Sequence, residues 1–131
     1  MSVDAGLRPL FRKHLPKSFD VVTIESGSVG RGIPDINYCC NGVEGWIEAK
    51  KADHWRCVVR PEQIAWAERR LAYGGRVFIA VRRDSCELWL YHGEMTRRLL
   101  KERLDAVPCL GRWGGSPARW DWATVAELLT A

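Results

Sequence analysis

An Asn-Gly pair at positions 41–42 constrains the chain around it more than any other feature. A two-residue type I′ turn needs φ > 0 at both central positions, and Asn followed by Gly tolerates this well, so Asn41-Gly42 predicts the tip of a β-hairpin. With the tip there, Cys40 faces Val43, Tyr38 faces Gly45 and Ile36 faces Ile47, which makes one apolar face. Side chains alternate across a strand. The other face therefore carries Asp35 opposite Glu48 and Asn37 opposite Trp46, with Lys50 two residues beyond Glu48 on the same side. Two carboxylates facing each other in a sheet repel and cost stability. A bound divalent cation reverses that sign, and Lys50 adds positive charge to the patch. The combination predicts a hard-metal site suited to phosphate chemistry. The plainer alternative is a solvated charged strand face, because Asp followed at a distance by Glu-x-Lys is common.

The remaining segments flank this hairpin. Residues 4–15 predict a helix with Leu7, Leu10, Phe11 and His14 on one stripe and Arg8, Arg12 and Lys13 off it; Pro16 stops it. Residues 19–24 are rich in β-branched side chains and predict the first strand, closed by Glu25. A glycine-rich loop over 26–32 lacks the P-loop lysine. Within it Arg31 is either a phosphate contact or part of an ordinary mobile loop. Residues 52–60 form a connector with Asp53, His54, Trp55, Arg56 and Arg60, a basic and aromatic stretch that suits DNA contact. The alternative for Trp55 is a cap on the core. Residues 61–73 give the clearest helix, with Pro61 at its first position and Gly74-Gly75 ending it. Ile64, Ala67 and Leu71 make its core stripe, and Gln63, Trp66 and Arg70 share a neighbouring face. Residues 76–81 and 87–91 alternate as strands about a turn at 82–85. Residues 96–104 predict a helix, 107–117 an irregular stretch. Asp121 can cap a last helix bearing Trp122, Val125, Leu128 and Leu129, which packs on the core or on a second subunit. The order α-β-β-β-α-β-β-α-α predicts a single α/β domain over residues 1–131, a mixed central sheet flanked by helices.

Composition excludes other classes. No stretch is long and apolar enough to span a membrane, and the N-terminus has no apolar run like that of a signal peptide, so a cytoplasmic protein is expected. Five cysteines include no C-x-x-C pair, and an odd count without a signal argues against a disulfide framework. Reduced, mostly buried thiols are expected instead. Zinc through His54 or His92 finds no finger spacing. The net charge of +4 is carried mainly by arginine, which grips phosphate bidentately, although a soluble surface accounts for it as well. Seven tryptophans are many for this length, enough to serve the core and also to stack on bases or a partner.

Pro34-Asp35 followed by Glu48-Ala49-Lys50 resembles the signature of the PD-(D/E)XK nucleases. A longer set resembles the virus-type replication–repair (VRR) nucleases: Gly32-Ile33-Pro34-Asp35, then Trp46-Ile47-Glu48-Ala49-Lys50, with Glu25 ahead and Gln63 on the following helix. Small stand-alone members of that family occur in phages and resemble Holliday-junction resolvases. The resemblance covers roughly residues 20–82. It implies a restriction-endonuclease-like PD-(D/E)XK core and a metal-dependent DNA endonuclease, selective for branched DNA such as Holliday junctions. It further implies Mg²⁺ as cofactor, with Mn²⁺ substituting, and a homodimer in the phage or bacterial host cytoplasm. Asp35 and Glu48 become the main metal ligands, the Ala49 backbone carbonyl a third and Glu25 an outer carboxylate. Lys50 orients the attacking water and stabilises charge on the phosphate. Gln63 lies near the scissile phosphate, whereas from the sequence alone it is only a polar residue at a helix start. Many relatives carry the first carboxylate on the N-terminal helix, where this chain offers only Asp4, so Asp4, Asp20 and Asp53 are alternatives to Glu25. Arg31, Lys51, His54, Trp55, Arg56, Arg60 and Arg70 are the candidate DNA contacts. The rival readings are a nicking or end-processing nuclease on duplex or single-stranded DNA, and a non-enzymatic nucleic-acid-binding module.

Overall fold

The computed structural model describes residues 4–25 and 32–131. After helix α1 (Leu7–His14) and strand β1 (Phe19–Thr23), the predicted hairpin forms from β2 (Ile36–Cys40) and β3 (Val43–Asp53). Its register pairs Cys40 with Val43, Tyr38 with Gly45 and Ile36 with Ile47. Asn41 and Gly42 take the positive φ values, 50° and 83°, that the turn demands. A short β4 (Arg56–Cys57) folds back on the end of β3. Helix α2 (Pro61–Ala72) then carries the chain over the sheet to β5 (Val77–Arg83), which runs parallel to β3. A parallel pair needs such a crossover. β6 (Glu87–His92), helix α3 (Thr96–Lys101), β7 (Gly111–Gly114) and helix α4 (Trp122–Thr130) complete the chain. The sheet order is β1-β2-β3-β5-β6-β7, with β4 paired to β3.

Helices cover both faces of this sheet. On one, α1 and α4 bury Leu7, Phe11, Val125 and Leu129 against Ile36, Tyr38, Ile47 and Leu90. On the other, Ile64 of α2 and Leu99 of α3 pack on Ile79, Val81 and Tyr91, beside a smaller group of Trp66, Ala67 and Val77. Strand alternation thus sends Ile47 and Ala49 of β3 to the α1/α4 layer, and Trp46 and Ala52 to the α2/α3 layer. Glu48 and Lys50 lie on the same side as the second set.

The structure corrects several expectations. The connector 52–60 carries strand structure: Asp53 pairs with Arg56 across a tight turn in which His54 has φ 66°. β5 runs on through Arg82 and Arg83, and the turn falls on Asp84 and Ser85, both at positive φ. The helix from Thr96 stops at Lys101, and Leu104 begins a separate 3₁₀ turn. Residues 107–117 contain β7, an edge strand whose two terminal glycines weaken any strand signal. The apolar stripe of α4 packs on the chain's own core, and Asp121 Oδ1 accepts the Thr124 N–H as an N-cap. Of the cysteines, Cys40 and Cys57 are buried and Cys39 half-buried, but Cys86 and Cys109 are exposed. Among the described residues, no helix is long and apolar enough to cross a membrane.

Candidate active site

Three elements bring four polar side chains to one place. Asp35 stands immediately before β2, Glu48 and Lys50 face α2 from β3, and Gln63 is the third residue of α2. Asp35 Oδ2 accepts the Ala49 N–H at 2.8 Å. Gln63 Oε1 accepts from Lys50 Nζ at 2.6 Å and from the Arg60 N–H at 3.0 Å, while its Nε2 donates to Glu48 Oε2 at 3.4 Å. Lys50 Nζ lies 3.9 Å from Glu48 Oε2. Glu48 and Lys50 are only 8% and 9% exposed, which removes the alternative of a solvated strand face. Their side chains border a small cavity closed by Gly32, Pro34, Val59 and Thr96.

Gly32 fixes the approach to Asp35. It sits at φ +77°, and a Cβ there would overlap the Glu62 carbonyl in the first turn of α2. This contact joins the segment leading into Asp35 to the helix that carries Gln63. Gly32→Ala is therefore expected to cost about 3 kcal/mol of unfolding free energy, a strained-backbone penalty at the upper end for a single substitution. Urea denaturation measures it, and a loss below about 0.5 kcal/mol, the ordinary level of a surface change, would show that the contact relaxes freely.

The charges are arranged against each other. Burial raises the Glu48 carboxyl to about 9, and the charge of Asp35 and a hydrogen bond to it push the same way, while Lys50 and Arg8 pull it down. Burial likewise lowers the Lys50 ammonium, opposed by the carboxylates of Glu48 and Asp35. Raised to about 9, the Glu48 carboxyl keeps its proton at neutral pH in the metal-free protein. Among the described residues no three His, Cys, Asp or Glu side chains converge as a ligand set. A cation here would rest on two carboxylates, backbone oxygen and water. That donor set fits Mg²⁺ or Mn²⁺, which keep several waters, and does not fit a closed zinc site.

The other predicted residues are dispersed. Glu25 is exposed, two residues beyond the end of β1, and among the described residues no hydrogen bond or ion pair joins it to Asp35 or Glu48. Arg31 lies outside the described residues. Lys51 points away from Lys50 to the opposite face of β3, 3.7 Å from Asp53. His54 is held in its turn, donating its N–H to Asp84 Oδ1 and accepting from Arg83 Nε. Trp55 has the guanidinium of Arg83 3.6 Å and that of Arg103 5.0 Å from its ring centre, and its edge meets Trp89, so it does cap the core. Arg56 donates to the Leu100 carbonyl. Arg60 begins α2, close enough to Lys50 to help lower its pKa. Arg70 lies over the rings of Trp46 and Trp66.

Sequence reasoning missed one participant, Arg8. Its Nη2 donates to Asp35 Oδ1 at 2.8 Å and to the Ile24 carbonyl at 3.2 Å, and its Nη1 donates to Asp4 Oδ2 at 3.2 Å. Asp4, an alternative outer carboxylate from the sequence, is 4% exposed, and among the described residues it is linked to Asp35 through this arginine. The one available signal was the Asp4–Arg8 spacing of four, which usually marks an ordinary helix-surface pair.

No protein-family model matches the chain, and no curated protein matches it in sequence. A solved structure does match: Hjc, a Holliday junction resolvase from the archaeal hyperthermophile Archaeoglobus fulgidus, with a TM-score of 0.60. The two share 13% sequence identity over 94% of this chain and 96% of that one. The likeness is one of fold, and it spans nearly the whole of both chains: this protein has the mixed α/β, restriction-endonuclease-like architecture of that resolvase.

Proposed function

We propose that the protein is a Mg²⁺- or Mn²⁺-dependent DNA endonuclease of the PD-(D/E)XK type, VRR-like in its motifs and selective for branched DNA. The observation that carries this reading is the convergence of Asp35, Glu48, Lys50 and Gln63 on one buried, hydrogen-bonded patch. Its fold, shared with a protein named a Holliday junction resolvase, supports the choice of substrate.

In this reading Asp35 and Glu48 hold the cation, with the Ala49 carbonyl and Glu25 as further candidates. When bound, a divalent cation neutralises the scissile phosphate and makes water a better nucleophile. Lys50 is kept in place by Gln63 and presents its other ammonium protons to a phosphate oxygen or to the attacking water. Gln63 itself is locked by the Arg60 N–H, so the start of α2 sets the direction of the lysine. Recognition rests on backbone and shape, with Arg60, whose backbone N–H meets Gln63, as the first candidate and Arg31, Lys51, His54, Arg56 and Arg70 as further ones. Each phosphate contact would steepen the log–log salt dependence of binding by about 0.9. A homodimer would set two sites for paired cuts.

The test is cleavage of a labelled four-way junction and its matching linear duplex, with Mg²⁺ or Mn²⁺, beside Asp35→Asn. Paired cuts in the junction alone, absent in the variant, are expected. Equal cutting of both substrates keeps the nuclease but removes the junction preference, and points to a nicking or end-processing enzyme. Binding that ignores both metal and Asp35→Asn, with no cleavage, leaves only a nucleic-acid-binding module.

A further inference from the structure

Arg8 is tethered on one side and committed to the site on the other. Asp4 Oδ1 accepts the Gly6 N–H at 3.1 Å, and Oδ2 accepts the Arg8 N–H at 3.3 Å as well as Arg8 Nη1. The carboxylate is thereby fixed to the backbone at the start of α1, and it holds the guanidinium from behind. Nη2 then spans to the Ile24 carbonyl and to Asp35 Oδ1. With the Ala49 N–H on Oδ2, both oxygens of Asp35 are engaged.

We propose that Arg8 is a resident counter-cation of the site, which occupies Asp35 in the metal-free protein and must release it before Asp35 can serve a divalent cation. The inference rests on the metal-site reading given above. Three features of the structure support it. Arg8 makes the only side-chain ion pair that Asp35 has among the described residues, so it lies where a competing cation would lie. Its Nε is buried without a hydrogen-bond partner, so the resting guanidinium is imperfectly satisfied. The Asp4 tether does not depend on Asp35, so the guanidinium can turn away from Asp35 and stay attached at the rim of the site. A guanidinium and a divalent cation on one carboxylate also repel each other directly. Arg8 is thus a positioning residue: it keeps the carboxylates together when no metal is present, and it sets how much metal is needed to load them.

Calorimetric titration with Mn²⁺ tests this on the full chain, comparing wild type, Arg8→Gln and Asp35→Asn. Arg8→Gln is expected to bind Mn²⁺ about ten-fold more tightly, within the usual range for coupling between two sites. Its metal-free melting temperature should fall, and Mn²⁺ should raise it by more than in wild type. Equal or weaker Mn²⁺ affinity in folded Arg8→Gln overturns the proposal. Where wild type binds Mn²⁺ and Asp35→Asn does not, equal or weaker affinity in Arg8→Gln removes the role of Arg8 and leaves the metal site standing. Absence of binding to both wild type and Arg8→Gln removes both. Should Arg8→Gln fail to fold, the guanidinium NMR signals of Arg8 in wild type decide. They should shift and broaden on addition of Mg²⁺, and signals that stay unchanged at saturating Mg²⁺ overturn the proposal.

Discussion

Lys50→Ala is expected to slow DNA cleavage about 10²–10³-fold, equivalent to about 3–4 kcal/mol of transition-state stabilisation, and to leave the protein folded. The first half follows from position. Among the described residues Lys50 is the one ammonium buried beside the carboxylate pair, and Gln63 holds it at 2.6 Å. A charge fixed in a dry site costs no reorganisation when negative charge grows on the phosphate. The second half follows from what the deletion leaves behind. Gln63 Oε1 keeps the Arg60 N–H as donor. Glu48, raised to about 9, is neutral at pH 7 without metal and is not stranded as an unpaired anion. Single-turnover rates at saturating DNA, beside far-UV circular dichroism, separate the two halves. The loss should appear in kcat rather than in KM, because the interaction is made in the transition state. Lys50→Arg should stay slow, since a planar guanidinium cannot place a proton where the ammonium does. Retention of more than a tenth of wild-type activity in Lys50→Ala would remove Lys50 from the chemistry.

The centre of this site was legible because local rules determine it. Asn41-Gly42 fixes the hairpin tip, the tip fixes the register, and the register puts Glu48 and Lys50 on one side, with Asp35 at the entry to β2 bonded to the Ala49 N–H between them. Pro61 and the paired glycines bound α2, so Gln63 had to lie in its first turn. What stayed hidden depends on approach across the fold. Arg8 and Asp35 are 27 residues apart in sequence, and no pattern at 3.6 or 2 residues reports that α1 docks against the start of β2. Trp55 stands among basic residues and reads as a DNA contact. The two arginines over its ring come from β5 and from the segment after α3, and they turn it inward as a cap. β7 escaped because an edge strand of four residues with glycine at both ends has too few side chains to show alternation. Glu25 shows the converse. It holds the right place in the motif order, but it lies exposed two residues past the end of β1, and among the described residues it is Arg8 of α1 that meets Asp35.

The carboxylate pair should also make the metal-free protein lose stability as pH rises from about 5 towards 9, a window set by the two Glu48 values. In the unfolded chain Glu48 titrates near 4.5; in the folded protein burial, and then the charge of Asp35, raise it to about 9. Below 4.5 both states are protonated and Glu48 contributes nothing. Between the two values the unfolded chain has given up a proton that the folded chain keeps, so each step up in pH favours unfolding, by at most about 1.4 kcal/mol per unit. Lys50, lowered by burial, acts with the opposite sign at the alkaline end, so the fall should be steepest on the acid side. Urea denaturation in EDTA across pH 5–9 measures this, with Glu48→Gln as the comparison. The variant carries no titrating group there, so its profile should be flatter, and at pH 8 it should be more stable than wild type. Mg²⁺ should reverse the order, because it binds when both carboxylates are ionised and stabilises only the state that holds it. The gain should therefore grow with pH in wild type and vanish in Glu48→Gln. A wild-type profile as flat as that of the variant would mean that Glu48 is already ionised in the metal-free fold. The resident cation would then be enough to hold both charges, and little of the pair's repulsion would be left for a metal to relieve.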